Sequence, residues 1–402
     1  MIELIQDGSV TSASGFLAGG TYAGLKTQEE GVLDLGILMS ERSAALAATF
    51  STNRILSPSV TVSRQRLANG SARGVVANSG CANCSVGDQG RVDAEEMASL
   101  AAGHAGVSAE EMLVASTGMI GVELPMALIR QHIGNIELSA DGGERFARSI
   151  MTTDSRPKSM AISLEIDGRK VTLGGAAKGV GMIHPNMATM LCFISTDATV
   201  EQGFLQSALS EAVDLSFNMI DVDGDQSTND TVIVLANGAA GGPAIERGSD
   251  SAAAFQEALT YICIALAKEL ARDGEGAQRL IEVVVSGAKT VSDSRKAARE
   301  IASSLLVKAA VHGRDPNWGR IMMALGKSGI DLEEYKIDLF INDIQIVHEG
   351  LAIPYFKDAV ILAMGGPEVK FGIELNIGEA TATAWGCDLT EEYVTFNSAY
   401  ST

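Results

Sequence analysis

A chain of 402 residues, 46% apolar and 20% charged, has an ordinary globular composition and enough length for a large core and two domains. Its net charge of −20 argues against a general nucleic-acid binder, which needs a basic footprint, and against attachment to an anionic membrane surface. No apolar run approaches a membrane span, Met1 to Asp7 lacks the basic and apolar regions of a secretory leader, and five cysteines, an odd number, fit reduced thiols in the cytoplasm.

In chain order, residues 59–63 and 74–77 read as strands and 92–104 as a helix. Ser108 with Glu111 reads as a capping box opening a short helical turn, before a strand at 113–116 that ends at Thr117-Gly118. Asp167-Gly168 between 161–166 and 170–173 is a hairpin signal, and its second strand feeds a glycine-rich loop and then an apolar strand, 190–195. Residues 204–217 and 252–272 have helical spacing. A β-rich run at 281–285 starts a second unit, in which 337–341 and 345–348 form a hairpin around Asn342-Asp343. The mixture is α/β, or α+β, with neither internal repeats nor a low-complexity linker.

The loop itself, from Lys178 to Leu191, contains the pair Ala188-Thr189. A threonine hydroxyl there can attack the carbonyl just before it. If the backbone is held bent, the peptide shifts from nitrogen to oxygen and water cuts the resulting ester. The product is a threonine with a free α-amine, whose unperturbed pKa of ~7.7–8.0 lets it take the proton of its own hydroxyl near neutral pH. The loop is not a phosphate-binding P-loop, because no Gly-Lys-Ser/Thr follows at the required spacing.

Further blocks accompany this loop. They are Gly15-Phe16, Gly24-Leu25-Lys26, Thr49 to Arg54, Val76 to Gly80, Ser116 to Gly121, Met151 to Asp154, Asp221 to Asp225, Asp273 to Gly276, Asp315 to Arg320 and Asn397 to Thr402. In this order, along nearly the whole chain, they resemble the self-cleaving ornithine acetyltransferases, the ArgJ family of glutamate N-acetyltransferases. The resemblance implies a self-processed, threonine-nucleophile αββα-type sandwich of the ArgJ and DmpA kind. The catalytic domain would span residues 1–280, and a smaller α/β domain, 281–402, would close the site with its tail. The pieces 1–188 and 189–402 would stay together, as an α2β2 heterotetramer in the cytoplasm.

The implied reaction is ping-pong transfer of acetyl from N2-acetyl-L-ornithine to L-glutamate in arginine biosynthesis, with acetyl-CoA as a further donor in bifunctional members. No metal or other cofactor, no nucleic acid and no membrane is implied. By the same resemblance Thr189 is the nucleophile, and Thr117 and Gly118 form the oxyanion hole. Thr152, Lys178, Thr189, Glu275, Asn397 and Thr402 touch substrate, with Thr153 the alternative to Thr152 in a doublet. Two other outcomes stay open: release of the acyl group to water, as in amidohydrolases and aminopeptidases, and a metal or redox module at Cys81-Ala82-Asn83-Cys84. The second lacks a partner CxxC or histidine pair. Asp221-Val222-Asp223-Gly224-Asp225 puts its glycine fourth, where a calcium loop needs it sixth. It reads instead as a tight acidic turn near the pocket. His184 stands where the family pattern leads one to expect a small residue, either as a base near the cleavage point or as a spectator.

Overall fold

The computed structural model describes residues 1–184 and 190–399. Strands β1 (Glu3–Ile5), β2 (Phe16–Thr21) and the long β3 (Leu35–Phe50) lead into α1 (Pro58–Leu67), β4 (Ser71–Asn78), α2 (Gln89–Ala105), β5 (Met112–Ser116), α3 (Met126–His132) and α4 (Gly143–Ser149). Next come β6 (Lys158–Ile166), β7 (Arg169–Lys178), β8 (Leu191–Val200), α5 (Gln202–Leu215), β9 (Ile220–Asp221), β10 (Thr231–Ile245) and α6 (Ala252–Arg272). The chain continues through β11 (Leu280–Ala288), α7 (Val291–Ala302), α8 (Leu305–His312), α9 (Trp318–Lys327), β12 (Asp338–Ile341), β13 (Ile344–His348) and β14 (Leu351–Ala352). Then follow α10 (Lys357–Ala363), β15 (Glu368–Glu374), β16 (Ala380–Cys387) and α11 (Glu391–Ala399).

The first sheet runs β1-β6-β7-β8-β10-β3-β4-β5, with β2 also on β3. Strand β3 serves two half-sheets. Its register against β4 slips between Met39 and Ala44, and Glu41 to Ser43 are exposed at that corner. Side chains alternate across each half. Leu38, Leu46, Val75, Leu113, Phe193 and Ile233 meet in an inner layer between the halves. On one outside, Cys192, Ile194, Val232 and Val234 pack with α5 and α6. On the other, Ile37, Met39, Val76 and Val114 pack with α2 and α3. Helix, sheet, sheet and helix in that order make the expected αββα sandwich.

A second sheet runs β14-β13-β12-β15-β11-β16-β9. Its short strand β9 pairs with Trp385 and Gly386, so residues 222–230 bridge from the second sheet to the start of β10 in the first. Helix α6 packs against β6 and β7 of one sheet and β16 of the other. No helix among the described residues is long and apolar enough to cross a membrane.

One expected element is corrected. Residues 59–63 are not a strand but lie in α1, where Pro58 occupies the first turn and the Ser57 hydroxyl accepts from the Ser59 N–H. The expected hairpins form: Asp167 and Gly168, and Asn342 and Asp343, all have positive φ, as two-residue turns of this kind require. Ser108 and Glu111 make the capping box, on a 3-10 turn. The strand order also bears on cleavage between β7 and β8. In β7-β8-β10-β3, the outer strands precede residues 185–189 and the inner two follow them. Two pieces separated there would still share one hydrogen-bonded sheet.

Candidate active site

A cleft of about 340 Å³ opens where the ends of β5 and β7 meet the segment leading into β10, and α11 lies along it. Thr117 and Gly118 follow β5 directly. The Thr117 N–H donates to the Asn78 carbonyl (3.1 Å) and the Met119 N–H to that of Gly80 (3.0 Å), fusing the turns after β4 and β5. Gly118 sits at φ 127°, and a Cβ there would stand 2.2 Å from the Gly80 carbonyl carbon. Only glycine fits this close approach.

Lys178 ends β7 and is 3% exposed, which excludes a solvated loop lysine. Its Nζ donates to Thr117 Oγ1 at 3.0 Å and to Thr152 Oγ1 at 2.9 Å. Burial holds this ammonium below the usual lysine range, against the pull of Asp154. Behind it, Asp154 Oδ1 accepts from the Gly179 N–H (2.9 Å) and from Lys158 Nζ (2.6 Å), and Asp154 Oδ2 accepts from the Thr152 N–H (3.1 Å). Lys158 also reaches Asp273 at 2.6 Å. Burial works against the Asp154 carboxylate, yet Lys158 and Lys178 outweigh it and keep its pKa below the ordinary value.

Across the cleft, Glu275 is 9% exposed. Its Oε1 accepts from Thr153 Oγ1 and its Oε2 from Asn397 Nδ2, both at 2.8 Å. The Thr doublet therefore serves both charges: Thr152 faces Lys178 and Thr153 faces Glu275. A Cβ on Gly181 would come within 2.7 Å of the Glu275 carboxyl, so this loop glycine makes room for the carboxylate. Asn229 Nδ2 donates to the carbonyls of Ser116 (2.8 Å) and Ala82 (2.6 Å), pinning the approach to β10 against the end of β5.

The structure thus gathers Thr117, Gly118, Thr152, Lys178, Glu275 and Asn397 around one cleft. Ala188, Thr189 and Thr402 lie outside the described residues. Lys178 and Leu191 are paired across β7 and β8, and Thr189 precedes Leu191 by two residues. His184 Nδ1 lies 3.0 Å from Asp221 Oδ1. Cys81 and Cys84 are buried free thiols, and no cluster of three or more His, Cys, Asp or Glu suited to a metal occurs among the described residues. Asp154 and Asp273 end and open two of the family blocks without a role of their own having been legible there, and Lys158, Asn229 and Asp230 lie in none of the blocks. The arrangement offers hydroxyl and backbone donors for a developing oxyanion, a buried cation behind them and a carboxylate opposite.

The ArgJ family model matches residues 17–402. The arginine biosynthesis bifunctional protein ArgJ of Symbiobacterium thermophilum is 50% identical over 397 residues, covering 98% of this chain and 99% of its own. That of Dehalococcoides mccartyi is 46% identical over 401 residues, covering 100% and 99%. The crystal structure of the ArgJ protein of Bacillus halodurans is similar with a TM-score of 0.51 at 42% identity, over 52% of this chain and 98% of that one. Matched by the family model over residues 17–402 and by these relatives nearly end to end, the chain belongs to the ArgJ family.

Proposed function

We propose that the protein moves the acetyl group of N2-acetyl-L-ornithine to L-glutamate through an acetyl-Thr189 intermediate, after cutting itself at Ala188-Thr189. It is an acyltransferase of arginine biosynthesis. The observation that carries this reading is the Lys178 ammonium, buried and shared by the Thr117 and Thr152 hydroxyls at the mouth of the β7–β8 connection.

In the first reaction the Thr189 oxygen attacks the Ala188 carbonyl carbon, the C–N bond breaks and the hydroxyl proton passes to the nitrogen. Water then hydrolyses the ester. In the mature enzyme the α-amine takes the Thr189 hydroxyl proton as the oxygen attacks the acetyl carbonyl. The Thr117 and Gly118 groups receive the oxyanion, and Lys178 holds the Thr117 hydroxyl in place. The proton leaves with ornithine. Glutamate reverses the sequence and departs as N-acetylglutamate. Thr152, Lys178, Glu275, Asn397 and Thr402 hold the substrates, with Glu275 suited to an ammonium group. Acetyl-CoA is a second acetyl donor in this reading. The working protein is a cytoplasmic α2β2 assembly of the pieces 1–188 and 189–402, with residues 281–402 as the smaller domain. The crystallised Bacillus halodurans chain, about half the length of this one, supports a two-piece protein. Transfer to water gains no support from relatives named for biosynthesis.

Denaturing mass spectrometry of active protein should give the two pieces, and labelled acetylornithine should yield labelled N-acetylglutamate only with glutamate present. Thr189→Ala should stay whole and inactive. An active protein that is uncut, or ornithine release without N-acetylglutamate, would overturn the reading.

A further inference from the structure

The segment from Asp221 to Asp230 grips the chain on both sides of residues 185–189. Upstream, Asp223 Oδ2 accepts the Met182 N–H at 2.5 Å and its Oδ1 accepts the Ile183 N–H at 2.9 Å. The Val222 N–H donates to the Ile183 carbonyl at 2.9 Å. Met182 is held at φ +55°, a left-handed conformation rare for a residue with a side chain, which persists where surrounding contacts over-determine it. Downstream, Asp230 is fully buried, and its Oδ1 accepts the Met190 N–H at 3.1 Å while the Thr231 N–H donates to the Met190 carbonyl at 3.0 Å. Asp230 Oδ2 finds no hydrogen-bond partner among the described residues. Residue 190 is thus fixed through both backbone groups, one position after the nucleophile.

From this bracket we infer that Asp223 and Asp230 are positioning residues for self-cleavage: their carboxyl groups fix the chain at Met182-Ile183 and at Met190, on either side of the proposed cut. The inference rests on the proposed cleavage at Ala188-Thr189. Its physical basis is loop closure. Seven residues link Ile183 to Leu191, and fixing both flanks beforehand lowers the entropy lost on reaching the reacting geometry. Both carboxyl groups accept backbone N–H groups, Asp223 also accepts from the Tyr393 hydroxyl, and the hydrogen bonds of Lys178 go instead to Thr117 and Thr152.

The test follows cleavage of freshly translated full-length chain by denaturing mass spectrometry for the parent, Asp223→Asn and Asp230→Leu. At 223 an asparagine offers one acceptor oxygen where the carboxylate uses two, and at 230 a leucine offers none to the Met190 N–H. Each substitution should slow cleavage about tenfold or more, the scale of one lost buried hydrogen bond. The same substitutions placed in the uncut Thr189→Ala chain should leave the thermal midpoint within a few degrees. Cleavage at the parent rate in both variants would overturn the inference, and so would slowing matched by a large fall in the midpoint, which marks a merely structural role. A parent chain that never cuts would instead sink the proposed processing itself.

Discussion

The two walls of the cleft use charge in opposite ways. On the wall built by β5 and β7, the cation Lys178 donates to side-chain hydroxyls, and the carboxylate of Asp154 is matched by Lys158. On the wall built by residues 221–230, the carboxyl groups of Asp223 and Asp230 are taken up by the backbone N–H groups of Met182, Ile183 and Met190. The first wall ties its charges to side chains, and these two carboxyl groups of the second are tied to the protein's own backbone. In the Asp-x-Asp-Gly-Asp run, which resembles a cation loop in composition, Asp223 is a backbone clamp and Asp221 faces Lys308 and His184. Spacing alone separates the two uses.

Four changes would break or sharpen this contrast. The largest effect is expected at Lys158, whose ammonium sits 2.6 Å from both Asp154 and Asp273 with its side chain 1% exposed. Lys158→Ala leaves two buried carboxylates without their cation and should cost about 3–5 kcal/mol in urea unfolding. A loss below about 1 kcal/mol would show that the first wall does not depend on this pairing. Next is Lys178→Ala. If the lysine aims the Thr117 hydroxyl at an oxyanion, kcat/KM should fall by about 10²–10³ with the fold retained, the scale of one oxyanion donor. A change confined to KM would make Lys178 a substrate contact alone. Asn397→Ala removes the bond from α11 to Glu275 and should raise KM about tenfold with kcat little changed, as for one lost bond to a charged group. An unchanged KM would free the C-terminal helix from any part in binding.

What the sequence made legible divides along the same line. Thr117, Gly118, Lys178 and Glu275 were legible through the resemblance of the short blocks they sit in, and they lie around one cleft. The glycines in those blocks have local causes: Gly118 lies against the Gly80 backbone and Gly181 against the Glu275 carboxyl. The hairpins were legible because Asp-Gly and Asn-Asp favour the left-handed region. The Lys158–Asp273 pair was not, since 115 residues separate its members and only the packing of α6 on β6 brings them together. Residues 59–63 misled because Ser-Val-Thr-Val-Ser alternates like a strand, while Pro58 and the Ser57 cap had already committed it to α1. Asp230 looked like one more polar residue before an apolar strand.

The smallest effect is expected at Asp230, as a dependence of stability on pH. Burial raises its carboxyl well above the ordinary range, and the nearby Met190 N–H, Ser51 and Ser227 hydroxyls and Lys178 only partly oppose this. Between the unfolded value of ~3.9 and the raised folded value, the native state keeps a proton that the unfolded chain has released. The stabilisation is complete below the unfolded value and is lost as pH rises through the folded one, with a slope of at most ~1.4 kcal/mol per pH unit. Lys178, whose folded value is lowered, gives the opposite slope in the window below the ordinary lysine range. In the uncut Thr189→Ala chain, Asp230→Asn should therefore flatten the decline of urea-unfolding stability above pH 4 and leave the protein no less stable at neutral pH. A decline unchanged by Asp230→Asn would mean that this carboxyl is ionised in the native state, and Asp230 would then be a buried charge as Asp154 is.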